Sequence, residues 1–106
     1  MILYNVTLSL DPNIQVEWLE WMRNVHIPDV MGTGCFADCR LSRINGEEEN
    51  GVTYSVLYFS RSKEQFEKYN TQYAPALQKE HAEKFQGKFA AFRTILDVIE
   101  EFNHVG

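Results

Sequence analysis

Val52-Thr53-Tyr54-Ser55-Val56-Leu57-Tyr58-Phe59-Ser60 reads as a strand over its whole length. Val52, Tyr54, Val56 and Tyr58 fall on one side, and Thr53, Ser55, Leu57 and Phe59 on the other, with the period of two that a pleated chain imposes. A turn-rich link, Asn45 to Gly51, precedes it. Before the link lies a second candidate strand, Cys35 to Asn45, in which Ala37, Cys39 and Leu41 oppose Asp38, Arg40 and Ser42. So short a link predicts a hairpin between the two.

The flanks complete the pattern. Residues 2 to 10 alternate Ile2, Tyr4, Val6, Leu8 and Leu10 against Leu3, Asn5, Thr7 and Ser9, a further strand. Asp11-Pro12 ends it and opens a helix expected over residues 12 to 27, because Asp caps and Pro suits a first helical turn. Leu19, Met22, His26 and Val30 form its apolar stripe, widened by Trp18, Trp21 and Val25. Pro28 predicts a break or kink at Ile27, and Met31-Gly32-Thr33-Gly34 a turn. Beyond the hairpin, Ser62 and Gln65 form a capping box that starts a second helix bearing Phe66, Tyr69, Tyr73 and Leu77. Pro75 predicts a kink or a division of that helix. Lys84 and Gly87 mark its end. Lys88 to Val98 is the last strand, with Phe92, Thr94, Leu96 and Val98 against Ala91, Arg93, Ile95 and Asp97, and the tail to Gly106 reads as a short extra piece.

The order is strand, helix, strand, strand, helix, strand. It predicts an α+β domain spanning residues 1–106, with the ferredoxin-like βαββαβ arrangement: a four-stranded antiparallel sheet carrying both helices on one face. The other face is then open. On two strands it carries Leu3, Asn5, Thr7 and Ser9 with Thr53, Ser55, Leu57 and Phe59, a mixture too apolar for a fully wet surface. A two-fold homodimer with sheets face to face buries that patch and forms a dimeric α/β barrel. The competing expectation is a monomer with a mixed outer face.

Composition narrows the function classes. A chain that is 44% hydrophobic and 13% aromatic has material for a core. Its net charge of -5, with no cluster of Lys and Arg, points away from nucleic acid. The acidic run Glu47-Glu48-Glu49 reads as a solvated loop tip. A start at Met1-Ile2-Leu3-Tyr4 without a basic leader, and no apolar run of bilayer length, predict a soluble cytoplasmic protein with no membrane partner. Cys35 and Cys39 are then reduced thiols. On one strand face they stand about 13 Å apart, too far for a disulfide.

The chain resembles a family of short proteins, common in Bacteroidetes-type bacteria, that is grouped as a domain of unknown function. The resemblance rests on Tyr4-Asn5-Val6-Thr7, Trp18-Leu19-Glu20-Trp21-Met22, His26-Ile27-Pro28 and Thr33-Gly34. It continues in Val52-Thr53-Tyr54-Ser55-Val56, Ala74-Pro75-Ala76-Leu77-Gln78 and Ala91-Phe92-Arg93-Thr94. It covers nearly the whole chain and implies the dimeric α/β barrel, with no reaction and no site residues to carry over. The architecture is more remotely similar to antibiotic-biosynthesis monooxygenases, some of which work without a cofactor. Their Asn/Trp/Arg set cannot be placed here, because no tryptophan follows Trp21.

Candidate chemistry centres on His26, on the inner helix face beside Pro28. An imidazole titrates near neutrality and suits a general base or a ligand contact. The plainer reading is a buried histidine that bonds a backbone carbonyl. Tyr4, Tyr54 and Tyr58 are expected to point toward the helices, where phenols stack on a ligand or stabilise developing charge, or simply pack. Trp21, with Trp18, walls the same space. A His26–His81 metal site lacks a third ligand at a recognisable spacing, so no metal and no cofactor are expected. Arg40 and Arg93 each suit a ligand carboxylate or a pairing with Asp38, Asp97 or a partner subunit.

The leading expectation is a homodimer binding a small molecule in a sheet–helix cleft lined by Tyr4, Trp21, His26, Tyr54 and Tyr58. One alternative is a cofactor-independent oxygenase or isomerase acting on a small aromatic or carbonyl compound, with His26 as base and Tyr54 stabilising charge. The other is a non-catalytic dimer that acts through protein contacts on its acidic surface.

Overall fold

A computed structural model describes residues 1–46 and 51–105. The acidic run at Glu47 to Glu49 lies outside them. Strands β1 (Ile2–Leu10), β2 (Asp38–Arg43), β3 (Val52–Ser60) and β4 (Phe89–Asp97) form one sheet in the order β2-β3-β1-β4, antiparallel throughout. This is the ferredoxin-like βαββαβ arrangement, with all helices on one face.

The register fixes both faces. Tyr4 lies opposite Tyr58 on one side and Ile95 on the other, and Val6 opposite Val56 and Arg93. Tyr4, Tyr54 and Tyr58 all point into the core under the helices and are nearly fully buried. The open face carries Leu3, Leu57, Phe59 and Leu96 at one end of the strands. At the other end Ser9 and Thr53 hydrogen-bond across the ladder, while the Ser55 hydroxyl donates to the Asn5 side chain midway.

β2 is shorter than the expected Cys35 to Asn45. Only single ladder bonds extend it, from Ala37 N–H to the Phe59 carbonyl and from Ile44 N–H to that of Thr53. Cys35 therefore precedes the strand and is buried under the helices, so the two thiols do not share one strand; both are unpaired. Gly51 sits where β3 begins against the end of β1: a Cβ there would lie 2.5 Å from the Leu10 carbonyl oxygen, which only glycine avoids.

The first helical arm differs most from expectation. Asp11 caps a 3-10 turn, Pro12–Ile14, by accepting from Asn13 N–H at 2.9 Å. Helix α1 (Gln15–Trp21), a π-turn (Met22–His26) and α2 (Ile27–Gly32) follow without interruption. Pro28 does not break the chain. In a regular helix its ring would press on the Asn24 carbonyl and remove that carbonyl's bond. The wider turn, with Ile27 N–H reaching back to the Met22 carbonyl, relieves the clash. The second arm repeats the device. Ser62 caps α3 (Lys63–Lys68) by accepting from Gln65 N–H, a π-turn (Tyr69–Tyr73) follows, and Pro75 sits in the first turn of α4 (Ala74–Lys84). Gly87, at φ 75°, turns the chain into β4. The tail beyond Val98 forms no regular element among the described residues, and Ile99, Phe102 and Val105 in it are exposed.

Candidate functional site

A narrow cavity lies between the sheet and the two π-turns. Val6, Leu8, Val56 and Ala91 form its apolar floor, and Met22 and His26 of the first π-turn and Tyr69 of the second close it from above. Gln78 and His81 reach it from α4, and Arg93 from β4. Its empty space, counted out into the open mouth, is about 430 Å³, but the part that admits the centre of a water molecule is only about 40 Å³. At ~10–15 Å³ each, that holds about three waters.

Both arms owe their contribution to the π-turns. Trp18, Met22, His26 and Val30 recur every four residues. In a regular helix that spacing drifts by about 120° over three steps, at about 100° per residue. The extra residue in the wide turn takes back about 100° and holds all four over the sheet. Trp18, Met22 and Val30 are buried to 2% exposure or less, and His26 is half-buried. Leu19, expected on the stripe, is displaced to its margin, and Val25 is exposed.

His26 and His81 meet at the cavity with ring centroids 5.7 Å apart. His26 stacks on Trp21 at 5.1 Å. Its Nδ1 is buried and has no hydrogen-bond partner among the described residues. His81 is 7% exposed, and its Nε2 accepts a hydrogen bond from Trp18 Nε1–H at 2.9 Å. That bond requires a bare Nε2, so a neutral His81 carries its proton on Nδ1. Desolvation is the main force lowering both imidazoles to about 4. Arg93 adds to both, His26 acts further on His81, and Asp29 opposes the fall at His26. Both rings are therefore neutral at pH 7. Burial raises the Tyr4 phenol, with Arg93 and Gln78 pulling it back down. Burial likewise pushes Tyr58 and Tyr69 well above the ordinary phenol value.

Of the expected site residues, Tyr4, His26 and Tyr58 line the cavity together. Trp21 stands one layer back, between His26 and Phe85, with the Lys84 ammonium 5.8 Å from its ring centre. Tyr54 lies off the cavity. Its ring packs on Trp18 at 5.1 Å, and its hydroxyl accepts from Gln15 Nε2 at 2.6 Å. Tyr69 and Gln78 join the site unforeseen, as does the hydrogen bond that ties His81, weighed only as a metal partner of His26, to Trp18. The sequence held one signal for them: Gln78 and His81 are three residues apart, hence on one helix face, between the buried Ala74 and Phe85. Among the described residues no three His, Cys, Asp or Glu side chains gather to hold a metal ion, and no helix is long and apolar enough to cross a membrane.

Several solved structures share this fold. A dimeric ferredoxin-like protein from an uncultured marine organism aligns with a TM-score of 0.75 at 17% identity, over 97% of this chain and 98% of its own. HapK from Hahella chejuensis aligns over 100% of both chains at 11% identity and a TM-score of 0.69. SnoaB, a cofactor-independent oxygenase from Streptomyces nogalater, aligns over 97% of this chain and 98% of its own at 10% identity and 0.63. Identities this low establish the fold and nothing finer. Among curated proteins none matches the chain. In sequence, residues 1–99 match one family model across β1 to β4, and the chain belongs to that family, the domain of unknown function DUF4286.

Proposed function

We propose that the protein binds a small molecule in the cleft between its sheet and its π-turns, as a homodimer closed through the open sheet faces. One observation carries the binding reading: His26 Nδ1 is buried in a cavity wall with no hydrogen-bond partner among the described residues. Leaving such an atom unsatisfied costs about 1–3 kcal/mol, a cost that a bound polar group offsets. Tyr4 and Tyr58 flank it, Trp21 holds the imidazole plane from behind, and Tyr54 buttresses Trp18. The slot is tight as it stands. Anything larger than about three waters requires a lining side chain to shift, and Arg93 is the exposed one among them. The two unpaired thiols suit the reducing cytoplasm.

A second reading, cofactor-independent oxygenase or isomerase chemistry, draws on the same atom. A neutral His26 is free to take a proton from an acidic carbon or hydroxyl of a small aromatic or carbonyl compound. Its low pKa makes it a weak base at pH 7, which ranks this reading below simple binding. Charge stabilisation would fall to Tyr58 or Tyr4, since Tyr54 stands away from the cavity.

Native mass spectrometry of the purified protein tests the binding reading. The expected result is a small-molecule adduct on the wild type that is lost in His26→Ala, with the circular dichroism spectrum unchanged. A bare chain in both, with no shift in melting temperature across a panel of small aromatic acids and carbonyls, would leave a protein that acts through surface contacts.

A further inference from the structure

We infer that the cleft selects aromatic anions, flat rings bearing one negatively charged oxygen, with Arg93 as the residue that sets this preference. The inference rests on the binding reading above and specifies its ligand. The chain as a whole is acidic, with 15 Asp and Glu against 10 Lys and Arg. The cavity reverses that balance: among the described residues Arg93 is its one charged lining residue, and no Asp or Glu lines it. The ring-bearing residues around it (Tyr4, Tyr58, Tyr69, His26, His81 and Phe89) supply flat apolar faces and neutral polar edges.

Strand geometry aims Arg93 inward. It lies opposite Val6 on β1, and Ala91, two residues earlier on the same face, is too small to fill the space beside it. Asp97 lies four residues on along that face of β4, and Asp29, on α2, bears on His26. Neither forms a salt bridge with Arg93 among the described residues, where the ion pairs are Lys79–Glu83 and Lys84–Glu17. The guanidinium bears electrostatically on Tyr4, His26, Tyr69 and His81, groups from β1, both π-turns and α4 that line the same cavity. Each of these groups is neutral at pH 7, so none compensates the charge. An incoming carboxylate or phenolate can take the fork of donors, while the ring lies among the aromatic side chains.

Isothermal titration calorimetry with 2-naphthoate and its neutral analogue 2-naphthamide, at pH 7.5, provides the test. Wild type is expected to bind the acid at least about tenfold tighter than the amide, the factor a charge-assisted bond contributes. Arg93→Met should erase that preference, read as the ratio of acid to amide affinity, Arg93→Lys should keep part of it, and Arg40→Met, on the opposite face of the sheet, should keep all of it. Equal affinity for acid and amide in wild type, weakened for both by His26→Ala, would overturn the anion preference and leave the cleft reading intact. So would an unchanged preference in Arg93→Met. No binding of either probe at millimolar concentration would overturn both.

Discussion

His81 shows how one hydrogen bond governs a buried ionisable group. Its Nε2 accepts from Trp18, so protonating the ring both breaks that bond and places charge in a buried site beside His26 and Arg93. With folded values of about 4 against an ordinary 6.5, the two histidines stay neutral in the native state at pH values where the unfolded chain already binds protons. Their contribution to stability is therefore complete above about pH 6.5 and is lost as pH falls toward 4. For buried His81 the loss is on the order of 3 kcal/mol, and for the more open His26 it is smaller. Urea denaturation at pH 7.5 and 5.0 checks this. Stability should drop on acidification, and His81→Gln, which keeps an acceptor for Trp18 but cannot titrate, should flatten the drop by about one proton's slope. An equal drop in His81→Gln would assign the acid sensitivity to other groups. The sequence singled out His26 but gave no warning that Trp18 and His81, 63 residues apart, form a pair. Nor did it separate Tyr54 from Tyr4 and Tyr58. All three share one strand parity, and only the distance along the sheet places Tyr54 outside the cavity.

Strands were more legible than helices, for a physical reason. Alternation survives any register, so Ile2–Leu10 and Val52–Ser60 could be read directly from their residues. A helical stripe keeps its meaning only while the turn is constant, and here each arm carries one residue more than a regular helix accommodates. Reading constant turns put Leu19 on the stripe with Trp18 at its flank, and made a break or kink of Pro28 and a kink or division of Pro75. Each proline instead follows a π-turn by two residues, the last π-turn residues being His26 and Tyr73. The extra residue also brings His26 and Tyr69 to the cavity wall. Deleting exposed Asn24 should convert the first π-turn to a regular one. It would rotate α1 by about 100° against α2 and pull Trp18 off the sheet. Loss of that packing and of the bond to His81 should destabilise the fold by about 3–5 kcal/mol, as removal of a buried Trp does. Pro28→Ala, in contrast, should change stability by no more than about 1 kcal/mol, because the wide turn already accommodates the ring. Chemical denaturation of both variants separates the two effects. A deletion variant as stable as wild type would mean that the wide turn contributes nothing to seating Trp18.

The open sheet face connects this fold to its assembly. Leu3, Leu57 and Phe59 are only half-buried, while Leu96 and Phe92 are 45% and 64% exposed on the same side. Leu3, Leu57, Phe59 and Leu96 cluster toward one end of the strands, while Phe92 lies beside Thr7 in the half that carries the Ser and Thr ladder. A lone chain would present that cluster to water, whereas a two-fold pairing of sheets buries it, and about 800 Å² per partner is enough for a stable dimer. Alternation revealed the mixed face on β1 and β3. The contribution of β4 became visible only with its register, which sets Leu96 beside Leu3 and Arg93 on the opposite, cavity side. The two faces of β4 thus differ in character, and a pairing through the open face would leave the cleft under the helices untouched. Sedimentation at micromolar concentration should give twice the 12.4 kDa chain mass. Leu57→Lys sets a second cation directly across from Arg40 in the middle of the face. It should shift the protein to a monomer with an unchanged circular dichroism spectrum, while titration of 2-naphthoate still reads the same affinity. A wild type that sediments as a single chain, or a Leu57→Lys variant that stays dimeric, would place the contact elsewhere. If the monomeric variant loses ligand affinity, the cleft depends on the partner after all, and the two faces of the sheet are coupled through β4.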